Sequence, residues 1–145
     1  MSVRATVNPM SYDALTELRA ASAAAMTSDT NTTALSLDVL AAYWNTDLQS
    51  DFTVWFVIEV SAYTAGASDV IANIVSAVAG DSSFGGTLTT VASRPIAATG
   101  RYIVPVDKSA LVAAASKYLR VNFDLPATGS PSITAAVYVS HRAGM

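Results

Sequence analysis

The chain has 145 residues, of which 52% are hydrophobic and only 13% charged: the length of a single domain with about half the usual charged share, which argues against disorder. It has no cysteine, so disulfides, thiolate metal sites and cysteine nucleophiles are excluded. The net charge of −3 hides an asymmetry: residues 1–90 hold nine acids against Arg4 and Arg19, whereas residues 91–145 hold six bases against Asp107 and Asp124, giving −7 and +4.

Residues 1–12 read as an extended N-terminal arm. Pro9 disfavours helix at Asn8, and Val3, Val7, Met10 and Tyr12 have little local sequence to bury them. The arm lacks an apolar run of signal-peptide length, so the expectation is a protein without a secretion signal. Residues 13–26, "DALTELRAASAAAM", read as helix on propensity, and "TSDTNTT" as a polar turn. Leu35, Leu37 and Val39 at period two predict a strand start before Tyr43 and Trp44 run into polar residues.

"FTVWFVIEVSAY", 52–63, is the clearest strand and belongs in the middle of a sheet, with Trp55 in the core. Residues 68–80 fit a helical face through Val70, Ile71, Ile74, Val75 and Val78. Valine and isoleucine without any long helix former favour strand. "GDSSFGG" is a loop, "TLTTVAS" a strand, "RPIAATG" a turn, and "RYIVPVD" a strand that Pro105 places at an edge or bulge. "KSALVAAAS" gives one or two helical turns.

The stretch "SKYLRVNFDLP" is a strand in which Tyr118, and through a bulge Val121 and Phe123, face the core. Arg120, Asn122 and Asp124 project outward, and Arg120 is expected to pair with an acid of the N-terminal half. Residues 132–141 alternate Ile133, Ala135, Val137 and Val139 on one face. Short strands separated by Gly, Pro and Asn turns predict a mainly all-β fold, an antiparallel β-sandwich over residues 13–145 with one or two short helices.

Chemistry finds little support. "GDSS" needs a base, His141 is the sole histidine, and the spacing of a nucleophile elbow fails at Phe84. One histidine and scattered acids give no metal-ligand spacing, no phosphate-cradling glycine motif is present, and Glu59 and Asp124 are a weak carboxylate pair. Tyr43, Trp44, Trp55 and Tyr63 offer a sugar-stacking platform as the alternative to core or interface. Neither half is basic enough for nucleic acid, and no apolar run suits a membrane. The low surface charge instead suits burial against a partner, and the opposite charges of the halves suit pairing within the chain or between copies.

"DFTVWFVIEVSAY", "DSSFGG" with a Thr-rich strand, "GRYIVPVD", "KYLRVNFDL" and "SITAAVYVSH" follow one another in an order that resembles the capsid cement, or decoration, proteins of tailed bacteriophages. The resemblance spans roughly residues 50–140 and rests on the Arg101-Tyr102 and Tyr118-Leu119-Arg120 strands. It implies a jelly-roll-like sandwich without catalysis or cofactor, made in the host cytoplasm. Such a protein adds to the outer capsid surface as a homotrimer and bridges copies of the major capsid protein. The longer "DKSALVAAAS" connection and the Pro9 arm depart from the pattern. On this reading the contact residues are Val3, Arg4, Val7, Met10, Tyr12, Tyr43, Trp44 and Arg120, and a tail or baseplate β-protein is the nearest rival.

Overall fold

The computed structural model describes residues 17–43 and 53–140. Over these residues the chain runs β1 (Glu17–Arg19), β2 (Thr30–Asn31), β3 (Leu35–Ser36), α1 (Leu37–Tyr43), β4 (Thr53–Thr64), β5 (Val70–Ala77), β6 (Thr89–Ile96), β7 (Gly100–Asp107), α2 (Lys108–Ala113), β8 (Tyr118–Asp124) and β9 (Ser132–Ser140). A four-stranded sheet has the order β1-β9-β4-β7, and a five-stranded sheet the order β2-β8-β5-β6 with β3 following β2 along β8. All pairings are antiparallel, as expected for a β-sandwich. The pairs β5·β6, β4·β7, β2/β3·β8 and β1·β9 nest inside one another, so the chain is one long double ribbon that changes sheet at each step outward from the β5–β6 hairpin.

Period two places the core. β4 sends Val54, Phe56, Ile58 and Val60 inward, β8 sends Leu119, Val121 and Phe123, and β9 sends Ile133, Ala135, Val137 and Val139; all join one cluster between the sheets. Each buried valine, leucine, isoleucine or phenylalanine among them contributes about 1.5–3 kcal/mol by leaving water. In β4 the pairing jumps from Val60↔Ala135 to Ala62↔Thr134, so Ser61 is an inserted residue and Tyr63 returns to the core side. β7, carrying Pro105, is an edge strand of the four-stranded sheet, and β6, carrying Pro95, is an edge strand of the five-stranded sheet, as proline favours. Residues 70–77 are strand, and 108–113 form the short helix the sequence suggests.

Five expectations are corrected. Residues 17–26 hold strand β1, a turn and a bridge from Met26 to Ile133 rather than helix, because Leu18 and Met26 are buried against the sandwich. After β3 the chain is helical, since Leu37, Leu40 and Ala41 bury one helical face. Arg94, Pro95 and Ile96 belong to β6, not to a turn. Trp55 is half-buried on the outer face of its sheet, because Val54 and Phe56 take the inward positions on either side. β8 keeps strict alternation with no bulge: Leu119 takes the core position, and Tyr118 lies on the outer face with Arg120.

The two ends of the sandwich differ in kind. One, the loop end, carries the connections 20–29, 65–69, 97–99 and 125–131. The other, the helix end, carries α1, α2 and the loop 78–88. The described chain stops at that same end at Glu17, Tyr43, Thr53 and Ser140, as the pairings Glu17↔Tyr138, Trp55↔Ser140 and Thr53↔Asp107 require.

Candidate interaction surface

At the helix end Asp107 caps α2. Its carboxylate accepts from Ala110 N–H at 3.0 Å and from the Ser109 hydroxyl at 2.8 Å, and these bonds hold it below the usual aspartate pKa. The α2 carbonyls of Leu111 and Val112 accept from Ser116 and Ala115 N–H, and Ala115 adopts a left-handed φ of 50° to turn the chain into β8. Lys117 N–H then bonds the Ala77 carbonyl, and the Lys117 ammonium reaches Asp38 of α1 at 3.3 Å. The same end carries the large hydrophobics most open to solvent among the described residues: Val39 of α1 at 50%, Val78 after β5 at 43% and Val112 of α2 at 66%.

Below them the loop "GDSSFGG" folds back over the outer face of the five-stranded sheet. The Asp81 carboxylate accepts from Gly85 N–H at 2.8 Å and Gly86 N–H at 3.0 Å. Phe84 is forced into a left-handed backbone at φ 57°. Burial of its ring against Val75, Ala77, Leu88 and Tyr118 offsets that strain. The Arg120 guanidinium lies over the same ring, 4.3 Å from its centroid, with its Nε buried and without an acceptor.

Arg120 therefore pairs with no acid among the described residues; the expected ion pair is replaced by a stack. One step along β8 lies a polar row. Asn31, Asn122, Asn73 and Ser93 stand directly opposite one another on β2, β8, β5 and β6. Asn122 Nδ2 donates to Asn31 Oδ1 at 2.8 Å, and the Ser93 hydroxyl donates to Asn73 Oδ1 at 2.8 Å. One further step brings Asp124, exposed, opposite Ile71, which in turn faces Pro95.

The outer face of the four-stranded sheet has another character. Glu59 and Arg101 pair across β4 and β7 at 3.8 Å, both about two-fifths exposed, an arrangement that contributes little to stability. Val57 and Ala136 are buried there, and Tyr138 is partly buried beside Glu17 and Glu59. Burial first, then those two carboxylates, pushes the Tyr138 phenol above its ordinary pKa. The ion pairs Asp38–Lys117 and Glu59–Arg101 each join the acidic N-terminal part to the basic C-terminal part, so part of the charge asymmetry closes within one chain.

Of the sequence-predicted contact residues, Arg120 has a defined place, and Tyr43 ends α1. Val3, Arg4, Val7, Met10, Tyr12 and Trp44 lie outside the described residues. Glu59 and Asp124 stand on the outer faces of opposite sheets, so they do not face each other across a cleft. Trp55 points outward while Tyr63 packs against the core, so they share no platform. Ser82 is exposed in the loop, and His141 lies outside the described residues. Among the described residues no group of three or more His, Asp or Glu is placed to hold a metal, and no helix is long and apolar enough to cross a membrane.

The sequence reading missed Phe84. Its signal was a lone aromatic between a Gly-Asp start and a Gly-Gly end, where an apolar ring in a polar loop needs somewhere to dock. Compared with protein-family models, with curated proteins and with solved structures, the chain matches none.

Proposed function

We propose that this chain is a structural virion protein that binds the outer surface of an assembled phage capsid, as a homotrimer, and stabilises it by bridging major capsid subunits. The observation that carries the reading is the helix end: it holds three open valines, Val39, Val78 and Val112, and the Lys117–Asp38 ion pair, at the end where the chain enters β1 at Glu17. Apolar area beside a fixed ion pair suits a protein partner, where burial supplies affinity and the polar pair sets register. The nested order of strand pairs in an antiparallel sandwich supports the jelly-roll reading that the resemblance of the β7 and β8 sequences implies. The role is mechanical: modest contacts, repeated over a symmetric shell and joined within a trimer, add through avidity.

The test is co-sedimentation with purified capsids stripped of the protein. Full-length chain should decorate them, and a chain lacking residues 2–11 should keep its circular dichroism spectrum and bind more weakly. Equal decoration by the truncated chain would remove the arm from the proposal. No decoration by either chain would remove the capsid.

A further inference from the structure

The five-stranded sheet presents three consecutive outward positions of β8: Arg120, Asn122 and Asp124, a cation, an amide and an anion at even spacing. We infer that this face pairs with the same face of a second copy about a two-fold axis that crosses β8 at Asn122. At about 3.3 Å per residue, Arg120 and Asp124 are about 13 Å apart with Asn122 halfway. Two such faces can be stacked with their β8 strands parallel, which sets Arg120 on Arg120, or reversed about Asn122. The reversed packing sets each Arg120 on the Asp124 of the other copy. Charge selects it, and the contact is isologous, each residue meeting its complement twice.

The rest of the face obeys the same symmetry. The row Asn31, Asn122, Asn73 and Ser93 runs directly across four strands, so it lies along the axis and meets its own copy. Amides and hydroxyls suit that position because each both donates and accepts. On one side of the row, Val75 beside Arg120 is covered by Phe84; on the other, Ile71 stands beside Asp124 with Pro95 next to it. The reversal lays the raised Phe84 loop of one copy over the half-buried Ile71 and exposed Pro95 of the other. Among the described residues Arg120 is partly exposed, with the Phe84 ring against its guanidinium and no carboxylate beside it, and Asp124 is exposed, so each can meet the opposite charge of the partner.

Three strands of seven or eight residues, about 4.8 Å apart and flanked by the short β2 and β3, give a face of roughly 350–450 Å² per copy, below the size of a stable specific interface. The association is therefore weak and salt-sensitive. It is independent of capsid binding and is read on the free protein.

Sedimentation equilibrium of the full chain, at concentrations up to hundreds of micromolar, tests it. The wild type should associate reversibly, and less so as salt rises. Asp124→Arg, at an exposed position, should keep the fold and weaken association at least tenfold, with Asp124→Asn between. Arg120→Asp alone should also fail to pair, and mixing it with Asp124→Arg should restore a heterodimer, since both contacts then join opposite charges. If circular dichroism shows that Arg120→Asp disturbs the fold, Asp124→Arg and the salt dependence decide. A wild type that stays monomeric, or an oligomer whose mass Asp124→Arg leaves unchanged, overturns the contact; in the second case a trimer formed elsewhere on the surface still stands.

Discussion

At the loop end of the sandwich two glycines meet back to back, whereas at the helix end three valines stand in water. Gly66 and Gly129 approach so closely that a Cβ on Gly129 would lie 2.7 Å from Ala67 N and from the Gly66 carbonyl carbon. Ala67 N–H bonds the Thr128 carbonyl at 3.0 Å across the same contact. Backbone is packed on backbone there, and the two connections are locked. The helix end holds its loops by side chains instead: the Asp81 carboxylate, the Asp107 cap and the docked Phe84 ring. The difference is between a closed end that locks backbone on backbone and an open end that leaves apolar side chains exposed.

Two glycines with nearly the same backbone measure that division. Gly129 has φ 86° and Gly80, at the helix end, φ 84°, but a Cβ on Gly80 would have nothing within 4 Å. Gly129→Ala meets both the left-handed penalty and backbone overlap, and should cost on the order of 3 kcal/mol, lowering Tm by about 10 °C. Gly80→Ala meets the backbone penalty alone and should cost about 1 kcal/mol. Thermal unfolding of the pair gives the answer directly, and equal losses would show that the loop end is not the tighter one.

Phe84→Ala should fall between them, at about 2 kcal/mol. Its ring is buried in a satellite cluster outside the main core, so its removal leaves an opening to solvent more than a sealed cavity. Urea unfolding measures the loss. Hydrogen exchange should show Gly85 and Gly86 losing protection as the loop lifts, while β5 and β8 keep theirs.

These residues also mark how far the sequence could be read. Strands β4, β8 and β9 were legible as strands because burial on one face imposes period two, whereas β5, whose spacing also fits a helical face, was legible from its valines and isoleucines. The helix expected over residues 13–26 fails where it can be seen: the alanines and serines have good propensity but little bulk, and the 17–26 segment gains more by burying Leu18 and Met26 against β9. Helix α1 was readable in Leu37, Leu40 and Ala41, spaced three and one apart, but Leu35 and Leu37 drew the reading towards a strand. The Arg120 stack was not readable, because its partner lies 36 positions away in a loop whose left-handed Phe84 no pattern announces.

A smaller effect separates the outer face of the four-stranded sheet from both ends. The Tyr138 phenol is raised in the folded chain, so the unfolded chain ionises first as the medium becomes alkaline. Stability is then unaffected below about pH 10 and is lost as pH rises through the range between the unfolded and folded values. Tyr138→Phe removes that loss. Its Tm, followed from pH 8 to 11, should decline less steeply than the wild-type curve, and parallel curves would show that Tyr138 is solvated in the same way in both states.

The smallest effect on folding belongs to Val112, which is 66% exposed on α2. Serine has nearly the same helix propensity, so Val112→Ser should change stability by less than about 0.5 kcal/mol. If the helix end is the attachment surface, the same change removes apolar area that a partner would cover, worth up to about 1.5 kcal/mol, or roughly tenfold in capsid affinity. Gly129→Ala should give the reverse at a temperature where it remains folded: reduced Tm and undiminished decoration. Thermal scans and capsid co-sedimentation on both variants set the two ends against each other. If Val112→Ser lowers Tm and leaves decoration intact, the helix end is an ordinary part of the fold and attachment lies elsewhere on the sandwich.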